Sequence, residues 1–309
     1  MANFITIDSG TTNTRIHLVC NEKIVASKKI SLGVGDRDVE IFKKTLRTEI
    51  YELLWKSGLQ EKDIERIIAS GMITSEYGLC NLSHIVIPAG IKELHGGIHE
   101  AVFKDVSSVP IVFIRGVKAE GESLEVADMM RGEETELMGI LGSYQTDATY
   151  VFPGSHSKLI RVDEQGRIVD IRTMLTGEMI AALSGHTLLR DAVDLNTSEI
   201  DESYLIDGYE YCRRHGINEA LFKVRVLKNI FSAGKKETYS FFLGAVLTGE
   251  LQCIANSEDS TIVISGQSQL ANAMCVVLRN CCDKGISIVA SETVKNSTVL
   301  GALKIYRGI

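Results

Sequence analysis

Apolar and polar positions along this chain switch between two periods. Phe4-Ile5-Thr6-Ile7 is a short β-branched and aromatic run that predicts a buried strand, and Ile16-His17-Leu18-Val19 predicts a second. From about Asp38 to Lys56 the spacing becomes helical, with Phe42, Leu46, Ile50 and Leu53 on one face. Strands are expected at Arg66–Ser70 and Pro110–Ile114. A helix from about Lys236 to Cys253 places Tyr239, Phe242, Leu243, Val246 and Leu247 together. Thr261–Ser265 then reads as a buried strand, Gly266-Gln267-Ser268 as a turn, and a helix follows with Leu270, Met274, Val277, Leu278 and Cys281 at helical spacing. Strands interleaved with crossover helices predict an α/β chain. The polar, Glu- and Gly-rich stretch Gly116–Asp128 is the expected interdomain connection, giving domains 1–125 and 126–309.

The first hairpin recurs. Shifted by 144 residues, Gly10-Thr11 falls on Gly154-Ser155, the strand at Ile16–Val19 falls on Ile160–Asp163, and Ile24-Val25 falls on Ile168-Val169. Both copies read strand, Gly-hydroxyl turn, strand, tight turn, strand. Two such turns facing each other would hold one polyphosphate from both sides. The copies differ at one telling position: Asp8 in the first corresponds to Phe152 in the second. A single metal-holding acid is therefore expected.

The chemistry of the first turn, Asp8-Ser9-Gly10-Thr11-Thr12-Asn13, follows from its residue types. A carboxylate at a strand end holds a magnesium ion, directly or through water. Glycine lets backbone N–H groups close on phosphate oxygens, and hydroxyls add donors. The ordinary alternative for such a segment taken alone is a β-hairpin with a polar cap. The second turn, Pro153-Gly154-Ser155-His156-Ser157-Lys158, offers a cation in Lys158. Gly266 and Gln267 between strand and helix would let a flat ring or a phosphate approach the backbone, and Gly249-Glu250 would line a nucleotide pocket. Simple packing and a solvated helix end are the ordinary alternatives.

Met130-Arg131-Gly132-Glu133-Glu134-Thr135 reads as a helix start with Leu137, Met138, Ile140 and Leu141 turned inward. Acids in a first turn favour the helix dipole, so capping accounts for Glu133 and Glu134 without function. Their place just ahead of the second hairpin points further, to a general base acting on a substrate hydroxyl. Arg131 beside them suits an anionic substrate.

Composition narrows the classes. The 309 residues carry a net charge of −7 and no block of like charges, which argues against nonspecific nucleic-acid binding. No apolar run reaches membrane-spanning length, and Met1-Ala2-Asn3 leads almost directly into the first strand, so a cytoplasmic protein is expected. Seven cysteines without framework spacing read as reduced thiols. His95 and His99 flank a Gly pair and have no thiol partner, which makes a zinc site there unexpected.

Asp8–Asn13, Met130–Thr135, Pro153–Lys158 and Arg172-Thr173-Met174-Leu175-Thr176-Gly177-Glu178 together resemble the 2-dehydro-3-deoxygalactonokinase family, nearly end to end. The resemblance implies two RNase H-like domains of the sugar kinase, Hsp70 and actin type around a nucleotide cleft. It implies ATP and magnesium as cofactors, and transfer of phosphate to the terminal hydroxyl of a sugar acid. It makes Glu133 the base, with Glu134 second, and puts the phosphates on Gly10–Asn13 and Gly154–Lys158. Arg131, Arg15 and Arg172 become candidates for the substrate carboxylate, with Met72 and Ser75 on the substrate side. The chain departs from the family in having Ile73-Thr74-Ser75 and Gly78-Leu79 where a Gly-Ser pair and a Gly-Trp are expected. That difference bears on which sugar acid is taken. Rival readings are an ATP-binding sensor or chaperone-like module, and a paralogue that binds the sugar acid with weak catalysis.

Overall fold

The computed structural model describes residues 2–34, 38–197, 199–266 and 268–309. The strands are β1 (Asn3–Ser9), β2 (Thr14–Cys20), β3 (Lys23–Ile30), β4 (Arg66–Gly71), β5 (Ile85–Val86), β6 (His99–Ala101), β7 (Ile111–Phe113), β8 (Val117–Ala119), β9 (Asp128–Met130), β10 (Ala148–Phe152), β11 (Ser157–Val162), β12 (Ile168–Met174), β13 (Thr261–Ile264) and β14 (Gly285–Ile288). The helices are α1 (Val39–Lys56), α2 (Ile91–Gly96), α3 (Glu133–Ile140), α4 (Thr176–His186), α5 (Glu202–His215), α6 (Ile217–Asn229), α7 (Lys235–Ala255), α8 (Gln269–Cys281) and α9 (Ser291–Arg307).

Two compact units emerge. The first runs through Thr146 and adds Asp163–Ile171 and Glu292–Ile309; the second comprises Asp147–Val162 and Arg172–Ser291. The sequence division at 125/126 differs from this. Residues 126–146 belong with the first unit because β9 pairs with β8, and because α9 packs on α3. A Cβ on Gly301 would lie 1.8 Å from the carbonyl of Thr135, so glycine there sets the approach of those two helices. Gly116–Asp128 is accordingly not a linker. Val117 and Ala119 are buried, and the segment opens a small sheet ordered β5-β8-β9.

The repeat read from sequence is a repeat of topology. The first unit's main sheet has the order β3-β2-β1-β4-β7-β6, and the second unit's has β12-β11-β10-β13-β14. In each, an antiparallel hairpin is followed by a parallel partner for its first strand: β1 with β4, and β10 with β13. The buried strands Phe4–Ile7 and Ile67–Ala69 build one core with Phe42, Leu46 and Ile50 of α1. Asp38 starts α1 by accepting the N–H groups of Glu40 at 3.0 Å and Ile41 at 3.1 Å.

The second core centres on α7, which is buried on more than the single face expected. Its apolar residues Phe241, Phe242, Leu247 and Leu251 pack with α5 and α8. Glycines allow this: a Cβ on Gly208 would meet the Phe241 carbonyl at 2.1 Å, and one on Gly244 the Leu205 carbonyl at 2.0 Å. Among the described residues no helix is long and apolar enough to cross a membrane.

Candidate active-site elements

In the first unit the candidate residues gather at one end of the sheet. Parallel pairing aligns Asp8 with Ser70 and Ser9 with Gly71, so β1 and β4 end side by side. Ligands of open α/β sheets favour such carboxyl-end edges. Gly10 N–H closes the turn on the Asn13 carbonyl at 2.8 Å, and its own carbonyl accepts Val34 N–H at 3.2 Å. Ser9 and Thr14 share a buried hydroxyl contact of 3.1 Å, while the Asn13 amide donates to the Thr12 hydroxyl at 2.9 Å. Thr11 and Thr12 are exposed, which leaves their hydroxyls at the surface of the turn.

Asp8 is the acid of this turn. Burial lifts its carboxyl above the ordinary range even though Arg15 donates to it at 3.1 Å and pulls the other way. A desolvated carboxylate in that position gains from further positive charge. One carboxylate also suits magnesium, which keeps water and phosphate as its other ligands. Among the described residues, no group of three or more His, Cys, Asp or Glu is placed to hold an ion without such help.

The start of α3 lies against the same edge. Gly132, with φ at 115°, begins the helix, and its Cα side is close enough to Gly71 that a Cβ would sit 3.4 Å away. The two neighbouring acids have opposite environments. Glu133 is half-buried, and its Oε2 accepts the Arg131 backbone N–H at 3.2 Å. Glu134 is fully buried. Its oxygens accept Gly132 N–H at 2.8 and 3.0 Å and the Thr135 hydroxyl at 3.1 Å. Burial, reinforced by the neighbouring Glu133, pushes Glu134 up to about 8. Burial thus favours the protonated form of Glu134, and its hydrogen bonds tie it to the start of α3.

The Arg131 guanidinium is engaged within the first unit. Its Nη1 donates to both the carbonyl and the hydroxyl of Thr74 at 2.7 Å, and its Nη2 donates to the Leu82 carbonyl at 3.1 Å. The ring of His84 stands 3.4 Å from Nη2. Burial and the cations Arg131, Lys118 and Arg115 hold His84 down at about 4, so this ring is neutral. Arg131 therefore clamps the loop after β4 instead of offering an open fork to a carboxylate. Ser75 is drawn into the same loop, its hydroxyl donating to the Met72 carbonyl at 2.7 Å. Met72 packs on the core edge beside it. Arg15 is bound to Asp8, and Arg172 is exposed on β12.

The second unit repeats the turn with different backing. Gly154, Ser155 and His156 are exposed, while Ser157 and Lys158 are buried at the head of β11. Lys158, expected in the turn, pairs across the sheet with Phe152. The start of α4 supports the turn: Gly177 N–H donates to the Gly154 and Ser155 carbonyls at 3.1 Å, and His156 Nε2 meets Glu178 at 2.8 Å. Behind it, the Thr176 hydroxyl donates to Glu250 Oε2 at 2.7 Å. Burial pushes Glu250 up to about 7, against hydrogen bonds from Thr176 and Ser157. Gly249 and Glu250 line a cavity of about 500 Å³ together with Thr176 and Met179. Gly266 follows β13 outside that lining, with φ at 89°, and Gln267 lies outside the described residues.

The two hairpins on one doubled α/β topology give a fold related to that of the sugar kinases. Residues 8–298 match the model of the 2-keto-3-deoxy-galactonokinase family, and the chain belongs to that family. It is accordingly an ATP-dependent kinase of sugar acids. It is similar to the 2-dehydro-3-deoxygalactonokinase of Escherichia coli K12, with 27% identity over 257 residues, covering 80% of this chain and 78% of the relative. Its fold matches that of a Sinorhizobium meliloti protein assigned as a 2-dehydro-3-deoxygalactonokinase, at a TM-score of 0.79 and 20% identity over 97% and 96% of the two chains. A more distant likeness, at a TM-score of 0.51 and 15% identity, is to the activator of 2-hydroxyisocaproyl-CoA dehydratase from Clostridium difficile, solved with bound ADPNP; it covers 99% and 94% of the chains.

Two acids are more buried than the sequence suggests. Glu134, read as the second candidate base, is fully enclosed at the start of α3. Glu250, read with Gly249 as lining a nucleotide pocket, does line a cavity and sits beneath the second turn. A carboxylate within an otherwise apolar helix, as in Thr248-Gly249-Glu250-Leu251, was the available signal for the latter.

Proposed function

We propose that the chain transfers the γ-phosphoryl group of ATP to the terminal hydroxyl of 2-dehydro-3-deoxy-D-galactonate, giving the 6-phosphate. The observation that carries this reading is the convergence in the first unit of Asp8, the Gly10 turn and Glu133 at the adjoining ends of β1 and β4 and the start of α3. Each unit is read as an RNase H-like domain with its own phosphate-binding turn.

Asp8 would hold magnesium, which when bound neutralises phosphate charge. The backbone donors and hydroxyls of Gly10–Asn13 and Gly154–Ser157 orient the phosphates, with Lys158 adding positive charge near the second turn. Phosphoryl transfer gains mainly from such positioning and electrostatics. Glu133 takes the proton of the attacking hydroxyl as the oxygen–phosphorus bond forms. Glu134 and Arg131 keep that acid in place: the former fixes the Gly132 N–H that starts α3, the latter ties the strand before it to the loop after β4. Gly249, Glu250, Gly266 and Gln267 are assigned to the adenosine side. Arg15 and then Arg172 are the further candidates for the substrate carboxylate, with Met72 and Ser75 on the substrate side.

The test is ADP release across a panel of aldonates and 2-keto-3-deoxy acids. Release dependent on 2-dehydro-3-deoxy-D-galactonate supports the assignment. Release indifferent to every sugar acid indicates an ATP-driven module, and binding without release indicates a non-catalytic paralogue.

A further inference from the structure

Helix α6 is apolar on two opposite faces. The inner face follows ordinary helical spacing: Ala220 and Val224 are buried, and Leu221 and Leu227 pack on the second unit's core. The outer face of such a surface helix is normally polar. Here Phe222 is 57% exposed, and Val226 lies half-buried one turn further along the same side. The row continues past the helix end through Ile230 and Phe231, which are 72% and 69% exposed. The turn Leu188–Asp191 runs along one flank, where Arg225 donates to the Leu188 carbonyl at 3.0 Å and Lys228 to that of Asp191. The Leu188 side chain is exposed too.

Single exposed apolar side chains are ordinary, but a row at four-residue spacing forms a ridge that gains from being covered. The two phenylalanine rings alone leave roughly 200–300 Å² in water. That suits the apolar centre of a standard interface, which buries roughly 800 Å² per partner.

The charges around the row indicate what covers it. Glu219 stands in the first turn of α6 and Lys228 in the last, with Lys235 just beyond. Glu219 accepts the Tyr211 hydroxyl and Lys235 meets Asp194, yet both side chains stay largely in water. The row thus runs from an acidic end through an apolar middle to a basic end, an order complementary to its own reverse. Antiparallel pairing about a two-fold axis at Val226 sets Phe222 against Ile230 of a second copy and Glu219 toward that copy's basic end. It also opposes the two helix dipoles. Parallel pairing would set like charge on like.

We propose that the outer face of α6 is the contact of a homodimer, in which two copies pack this row on itself in antiparallel order. A two-fold contact is closed, so assembly stops at two.

Sedimentation equilibrium of the full chain at micromolar concentration is expected to give twice the 33.9 kDa chain mass. Phe222→Glu is expected to weaken association at least about a hundredfold, because each dimer then buries two carboxylates against apolar side chains. Ile230→Lys should do the same. Combined in one chain, the two substitutions should recover association at least about tenfold over either alone. The antiparallel order brings each carboxylate to an ammonium of the other copy, whereas within one helix they stand two turns apart. Both positions are exposed, so the fold should survive, and circular dichroism checks that. Trp55→Glu, at an exposed aromatic residue of the first unit, should leave the dimer unchanged. A monomer overturns the proposal, as does a dimer that Phe222→Glu leaves intact or that Trp55→Glu dissociates. A double variant no better than the single ones overturns the antiparallel pairing and the proposal with it. The readout is mass, so it stands apart from the identity of the phosphate acceptor.

Discussion

The two units carry the same strand order and the same glycine turn, yet they place their acids differently. In the first unit the acid stands at the strand end: Asp8 precedes Gly10, and its carboxyl reaches the rim of the turn. In the second unit that position is Phe152, which is buried, and the acid comes from below as Glu250 on α7, joined to the turn through Thr176. One arrangement sets a partly buried carboxylate at the rim of the turn. The other uses a carboxyl to brace a helix start. The shared scaffold thus carries a glycine turn in both copies and an acid at the strand end in one.

Removing the proposed base should have the largest effect. Glu133→Gln is expected to lower kcat by about 10²–10⁴-fold with the affinity for ATP little changed, as for a lost general base. Steady-state kinetics at saturating substrates checks this; turnover close to wild type would move the base elsewhere. Glu134→Gln should cost far less activity, since its side chain is inside the framework.

Glu134 should instead be visible in stability. Its folded pKa of about 8 lies above the ordinary 4.5, so the folded chain keeps a proton that the unfolded chain loses. Stability therefore falls as pH rises from about 4.5 to about 8, by a few kcal/mol, and is flat beyond. Denaturant melts of Glu134→Gln across this range should lack that slope. An unchanged slope would place the titrating group elsewhere.

Arg131→Ala should destabilise the first unit by about 2–4 kcal/mol, because the Thr74 and Leu82 carbonyls lose their donors. Arg131→Lys should recover only part of this, since an ammonium cannot reproduce the fork. A purely substrate-binding arginine would raise KM and leave the denaturation midpoint untouched.

The smallest structural effect is expected at the second turn. Gly154 has open space around a Cβ, so Gly154→Ala should leave stability within about 1 kcal/mol. If phosphate packs on this turn as proposed, the methyl takes its room, and KM for ATP should rise. Gly71→Ala makes the contrast: its φ is 81°, and a Cβ would sit 2.4 Å from the Ser9 carbonyl. That variant should melt much earlier.

Much of this was legible in the chain because it is local. The 144-residue repeat, the α1 face of Phe42, Leu46 and Ile50, and both glycine turns depend on near neighbours in sequence. The failures lie where distant residues decide. Gly116–Asp128 looks like a linker because its polarity is visible and its pairing partners are not: β8 is completed by β5 and β9. Arg131 looks like a substrate residue because Thr74 and Leu82 are far away in sequence. Glu134 differs from Glu133 only by the turn of one helical step, which buries one and leaves the other half-exposed.

The most direct test is phosphorus NMR of the products formed from ATP, magnesium and 2-dehydro-3-deoxy-D-galactonate. The account predicts a C6 phosphomonoester in step with ADP for the native chain, and neither product at a comparable rate from Asp8→Asn. ADP accumulating without a phosphorylated sugar acid, or undiminished phosphorylation by Asp8→Asn, would contradict it.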